Sequence, residues 1–262
     1  MSDQKKPLAV PVPGVIEPSP AWAELAGLTP ARVALGRSGV SLPTREVMSF
    51  GVAHARARDA VHAELDVAKL REELAADGWT AIEVTSAATT RTAFLARPDW
   101  GRRLDDESNK KLAAIPREKP DLVFVLSDGL SALALHSHAS RLLRTLKPKL
   151  ADLRVAPIVI ATQARVALSD EVGQFLGAGI AVSLIGERPG LSTPDSLGAY
   201  LTADPRVGRS DAQRNCISNI HGAGLSYETA AAQIEALIRT AHASGVSGVT
   251  LAKRLAAPRE SP

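Results

Sequence analysis

The side chains best equipped for chemistry sit beside turn-forming glycine and proline. Ser127-Asp128-Gly129-Leu130-Ser131 places a carboxylate between two hydroxyls, but it has neither the glycine spacing of a dinucleotide fingerprint nor the Lys-Ser/Thr ending of a P-loop. Gly129-Leu130-Ser131-Ala132-Leu133 lacks the second glycine of a nucleophile elbow, and no Asp and His in order can be assigned to it, so serine hydrolysis is discarded. Asp128 also reads as a plain helix N-cap. Gly186-Glu187-Arg188-Pro189-Gly190-Leu191 sets a charged pair at the end of an apolar run, followed by Thr193-Pro194-Asp195-Ser196-Leu197-Gly198. Such a segment is kept where it builds a site, although an exposed Glu187–Arg188 ion pair accounts for the same residues. His136-Ser137-His138 has the spacing of a strand metal site, yet on a helix these positions point apart. His54 and His62 flank Arg56, Arg58 and Asp59 on a charged helix face available to a partner.

Elements must hold these residues in place. Pro7, Pro11, Pro13, Pro18 and Pro20 make residues 1–27 a Pro-rich flexible tail. Thr29-Pro30 reads as N-cap and first helical position for a short helix over Ala31 to Leu35, ending at Gly36. Helical spacing predicts further helices from Leu42-Pro43-Thr44 to His62 and over Val67 to Ala76, and Ala81 to Ser86 alternates as a strand. The charged, Pro-broken stretch from Arg97 to Lys119 is the expected domain boundary. It separates a mainly helical, partner-contacting domain over 28–119 from an α/β domain over 120–262. In the second domain, Leu122 to Leu126 is a continuous apolar run, as expected of a parallel strand buried on both faces. Strands at Val155 to Ile160, Ile180 to Ile185 and Gly248 to Leu251 alternate with helices at Leu130 to Leu146, Asp170 to Leu176 and Tyr227 to His242. That order predicts a Rossmann-like, mostly parallel sheet with ligands at the carboxyl ends of its strands.

Composition narrows the function. The 262 residues suffice for a sizeable core, and 45% hydrophobic with 23% charged residues is the balance of a globular chain. A net charge of +3 and 3% aromatics supply neither the field nor the stacking platform for nucleic acid. The longest uncharged apolar run, Phe175 to Gly186, falls short of the about 20 residues that span a bilayer, so no membrane association is expected. Cys216 is the single cysteine, which rules out an internal disulfide and fits a reducing cytoplasm.

Asn219-Ile220-His221-Gly222-Ala223-Gly224 narrowly misses the Asp-x-His-x-x-Gly element through which some cobalamin enzymes ligate cobalt. Asn219 replaces the carboxylate that would orient the imidazole, so no metal ligand is assigned. Longer stretches carry a more specific likeness. Arg32-Val33-Ala34-Leu35-Gly36-Arg37-Ser38-Gly39-Val40-Ser41-Leu42-Pro43-Thr44-Arg45 and His54-Ala55-Arg56-Ala57-Arg58-Asp59-Ala60-Val61 are two of them. With Ser127 to Ala132, Gly186 to Leu191 and Arg214-Asn215-Cys216-Ile217-Ser218-Asn219-Ile220, they resemble the small (light) subunit of ethanolamine ammonia-lyase, in order, from about Thr29 to Val249.

The resemblance implies one subunit of an adenosylcobalamin-dependent, hetero-oligomeric carbon–nitrogen lyase that converts ethanolamine to acetaldehyde and ammonia. In that family a large TIM-barrel subunit carries the catalytic groups, and the small subunit closes over the corrin. It also implies a bacterial, cytoplasmic location, within a microcompartment whose shell is a further partner. The family's cobalamin contacts carry over to Val166, Glu187 and Cys216, with no catalytic residue on this chain. Ala161-Thr162-Gln163-Ala164 departs from the family's Glu-Gln-Gly before Arg-Val, which bears on the loop holding Val166. The alternative is a non-catalytic assembly protein of the same family that has lost cofactor binding.

Overall fold

The computed structural model describes residues 15–16, 18–29 and 31–256, so the first 14 residues of the expected tail, and any encapsulation signal there, lie outside it. The chain divides into two compact units, Met1–Ala57 and Arg58–Pro262. In the first, β1 (Val15–Ile16) pairs antiparallel with β2 (Arg37–Ser38). Between them lies α1 (Pro20–Gly27), a helix inside the stretch expected to be a tail. Pro20 at its start has its φ pre-set and needs no N–H there. The helix expected over Ala31 to Leu35 does not form. Ala34 and Gly36 have φ of 56° and 75°, and five residues are too few to repay helix nucleation. The long helix α2 (Thr44–His62) starts in this unit with the expected bounds.

The second unit is an α/β fold. After α3 (Val67–Ala76), whose N-cap Asp66 accepts from the Lys69 N–H at 2.9 Å, come β3 (Ala81–Thr85), α4 (Arg91–Ala96) and α5 (Asp106–Ala113). β4 (Leu122–Ser127) leads into α6 (Ala132–Ala134), a π-helical turn at Leu135–Ala139 and α7 (Ser140–Leu146). β5 (Ile158–Thr162), α8 (Leu168–Leu176), β6 (Ile180–Gly186), β7 (Leu197–Ala203), β8 (Arg214–Ile220), α9 (Tyr227–Ser244) and α10 (Val249–Ala256) complete it. The six-stranded sheet runs β3-β5-β4-β6-β7-β8. The β3–β5, β5–β4 and β4–β6 pairs are parallel, and β7 and β8 extend the sheet antiparallel from β6.

Four sequence expectations need correction. The boundary at residue 120 falls inside this unit, because β3 is the edge strand beside β5 in the same sheet. The second parallel strand begins at Ile158, since Pro157 has no N–H to give a ladder. Gly248 to Leu251 is not a strand: Gly248, at φ 70°, turns the chain and α10 follows, with Leu251 buried and Val249 exposed. A four-residue apolar run does not distinguish the two states by periodicity. β7 and β8 were not expected at all.

Alternation builds two cores. Leu122, Phe124 and Leu126 of β4, with Ile158, Ile160, Ile180, Val182 and Leu184, face a core completed by α3, α7 and α9. Val123, Val125, Val159, Ala161 and Ala181 face the other way, onto α8. β7 and β8 differ: Leu197, Ala199, Leu201, Ile217 and Ile220 join the first core, and their alternate residues are left for the site.

Candidate functional site

The carboxyl ends of β4, β5 and β6 open into a cleft of about 1020 Å³, bounded on one side by β7 and β8. Val166, Glu187 and Cys216, far apart in sequence, all line it, among the apolar side chains of Leu95, Leu130 and Ile185.

Val166 lies on the loop between β5 and α8. The loop is fixed by Asp128, which is buried and sits at the end of β4 rather than capping a helix. Its Oδ2 accepts from the Gln163 N–H and its Oδ1 from the Ala164 N–H, both at 3.0 Å, and the Arg91 guanidinium stands 3.4 Å away. Burial pushes the Asp128 carboxyl up against the pull of these donors. In this loop the left-handed residue is Gln163, at φ 54°; Ala164, standing where the family resemblance has glycine, is not in that region. Its methyl is accommodated without backbone strain.

Glu187 leaves β6 with its carboxylate already oriented. Oε2 accepts from the Ser196 hydroxyl at 2.5 Å and the Asn219 N–H at 3.2 Å, and the Glu187 N–H donates to the Ser196 carbonyl at 2.9 Å. These bonds join β6 to the return loop and to β8. Glu187 and Arg188 do not form the ion pair weighed from the sequence; the carboxylate turns toward serine and backbone instead. Gly198 explains how it fits: a Cβ there would lie 2.9 Å from Glu187 Oε1 and 3.1 Å from the Tyr200 ring. The Ser131 hydroxyl ties down the same loop by donating to the Pro194 carbonyl at 2.8 Å.

Cys216 follows a different pattern from the two loop residues. It lies within β8, directly opposite Tyr200 of β7, so that thiol and phenol face each other across the ladder. The thiol is exposed to the cleft, and partial burial raises its pKa, so it is protonated at neutral pH. Burial raises the Tyr200 phenol as well. Next to them, Arg214 is buried and donates to Asp170 Oδ1 at 2.7 Å, to Thr202 Oγ1 at 2.9 Å and to the Arg209 carbonyl at 2.9 Å. Burial works against the Arg214 charge, but Asp170 holds its pKa up. This pair anchors β8 to the first turn of α8.

The histidines belong elsewhere. His136 Nε2 accepts from the Asp66 N–H at 3.1 Å, while buried His138 meets the Tyr227 hydroxyl at 2.7 Å and Asp195 at 3.2 Å. The two share no partner. His221 Nε2 is occupied by Asn219 Oδ1 at 2.7 Å.

Reasoning from residues misses Tyr200 and gives Arg214 and Gly198 no role of their own, because β7 and β8 go unrecognised. The available signals were a glycine inside an apolar alternation and an arginine opening a polar one.

The arrangement offers a concave wall with an oriented carboxylate, small side chains and backbone groups. That is the surface a large, amide-rimmed apolar ligand requires. Among the described residues no helix is long and apolar enough to cross a membrane.

Comparison with known proteins gives the same direction throughout. Residues 19–252 match the model of the ethanolamine ammonia-lyase light chain family. The chain is 53% identical over 231 residues to an ethanolamine ammonia-lyase small subunit of Bradyrhizobium diazoefficiens, covering 87% of this chain and 88% of the relative. It is 54% identical over 230 residues to that of Rhodopseudomonas palustris, covering 87% and 88%. Against that of Xanthomonas campestris pv. campestris it is 50% identical over 239 residues, covering 89% and 88%.

Proposed function

This chain belongs to the ethanolamine ammonia-lyase light chain family, and on that premise we propose that it is the small subunit of an adenosylcobalamin-dependent lyase converting ethanolamine to acetaldehyde and ammonia. It acts with a large subunit and closes one side of the corrin pocket. The observation that carries this reading is the convergence of Val166, Glu187 and Cys216 on one cleft.

The residues fit the group. A cleft of about 1020 Å³ stands at the upper end of small-molecule sites, as a corrin needs. Val166 offers backbone and methyl contact, and Glu187, held by Ser196 and Asn219, accepts from carboxamide N–H groups without reorganising. Cys216 packs as a small, soft side chain. When bound, adenosylcobalamin supplies the radical chemistry. The chain's own part is to position the corrin and exclude water beside it; no residue here is assigned to the reacting atoms. Val47, Met48 and Phe50 on α2 are exposed apolar side chains suited to the large subunit.

The assembly-protein alternative rests on the altered residues before Arg165. The two backbone bonds from that loop to Asp128 support an ordered loop and the enzymatic reading. Location in the bacterial cytoplasm and its microcompartments is part of the proposal and rests on the family alone.

The test is acetaldehyde release from ethanolamine by this chain mixed with a family large subunit, with and without adenosylcobalamin. Turnover is expected only in the full mixture. A stable complex without turnover would favour the assembly protein.

A further inference from the structure

Five arginines line the cleft, and they fall into two groups. Arg209 and Arg214 are neutralised, by Asp204 at 2.8 Å and Asp170 at 2.7 Å. The carboxylates of the cleft wall are engaged as well: Glu187 takes the Ser196 hydroxyl and Asn219 N–H, and Asp211 lies 3.3 Å from Arg214. Among the described residues, Arg102, Arg165 and Arg188 have no carboxylate within ion-pair distance.

Arg165 is built into position. Its guanidinium carbon lies 4.3 Å over the Phe94 ring, and its backbone N–H donates to the Gly101 carbonyl at 2.7 Å. Gly101 admits this approach, since a Cβ there would come within 3.0 Å of Arg165 Cγ and 2.8 Å of the Phe94 ring. Arg165 Nε is buried without a hydrogen-bond partner. Burial first, then the like charges of Arg91, Arg102 and Arg188, lowers the Arg165 pKa. A buried, unpartnered Arg165 Nε on a wall shared with two further guanidiniums that lack carboxylates is unfavourable unless an anion completes the set.

We propose that Arg102, Arg165 and Arg188 form an anion subsite of the cleft that takes a phosphate-class oxyanion. Tetrahedral oxygens accept from several guanidinium forks at once, a geometry a single carboxylate matches less well. Two sources share this chemistry. One is the phosphodiester in the nucleotide tail of cobalamin, which rests on the function proposed above; the other is free phosphate, which does not.

The experiment compares wild-type protein with Arg102→Gln and Arg188→Gln, both exposed side chains whose loss leaves the core intact. Inorganic phosphate is titrated into the full chain by calorimetry. Cyanocobalamin and dicyanocobinamide, a corrinoid without the nucleotide tail, are titrated into its complex with the large subunit by absorbance. Each substitution is expected to weaken the phosphate-bearing ligand about tenfold and to leave cobinamide within about twofold. Selective loss of cobalamin affinity identifies the phosphodiester as the source, and loss of phosphate binding with cobalamin unchanged identifies free phosphate. If no corrinoid binds while phosphate binding responds to the substitutions, the cofactor reading fails and the subsite stands. The subsite is overturned if neither phosphate nor cobalamin binding responds, or if cobalamin and cobinamide weaken equally.

Discussion

The two halves of the sheet follow different rules. β4, β5 and β6 have apolar residues on both faces and serve stability. Their neighbours β7 and β8 give one face to the core and the other to Tyr200, Thr202, Arg214 and Cys216. In the parallel half interior positions are filled by packing, with Ser127 and Ser183 the buried polar exceptions. In the antiparallel half a buried ion pair, a tyrosine facing a thiol across the ladder and an oriented glutamate hold the corresponding positions. Burial of apolar area is surrendered there, and polar bonds that also shape the cleft replace it. The cleft lies where the two halves meet.

That contrast sets an order of expected effects. Phe124→Ala, in the doubly buried half, should cost about 3–5 kcal/mol by urea unfolding, from lost transfer energy and a residual cavity. Arg214→Ala should approach that figure, about 3–5 kcal/mol, by a different cause, because it leaves Asp170 buried and unpaired. A double variant with Asp170→Leu separates the causes: removing both charges should recover a large part of the loss, whereas no second substitution of this kind rescues Phe124→Ala. If the double variant is no more stable than Arg214→Ala, the ion pair is not what anchors β8. Gly198→Ala forces Glu187 aside and should lower stability by about 1–3 kcal/mol while disturbing corrinoid binding. The smallest effect is a pH dependence at His138. Burial lowers its folded pKa below the ordinary value of about 6.5, so the folded state binds fewer protons there than the unfolded chain. Its contribution is present above that value and is lost as pH falls through it. His138→Gln should flatten the fall in stability as pH drops below about 6.5.

The same contrast explains what was legible in the sequence. Leu122 to Leu126 and Ile180 to Ile185 announce themselves because two buried faces leave runs without a charge, broken only by Ser183. Leu197-Gly198-Ala199-Tyr200-Leu201-Thr202 and Arg214-Asn215-Cys216-Ile217 do not, because their cleft-facing residues were chosen for what they meet across the site. Asp128 read as a cap because its partners, the Gln163 and Ala164 N–H groups, are 35 and 36 residues away, a contact no local spacing records. Glu187 was legible as charged and near a strand end, but its orientation depends on Ser196 and Asn219. The residues assigned to the corrin came from family resemblance; their meeting in one cleft is a property of the fold.

Retention of adenosylcobalamin by the complex of this chain with a family large subunit, compared between wild type and Glu187→Ala, tests the central claim most directly. Measured by equilibrium dialysis alongside thermal unfolding of each small subunit, it should show about a tenfold loss of affinity, equivalent to about 1.4 kcal/mol, with little change in stability. Equal retention by both proteins would contradict the account and remove Glu187, and the cleft it helps to shape, from the corrin site.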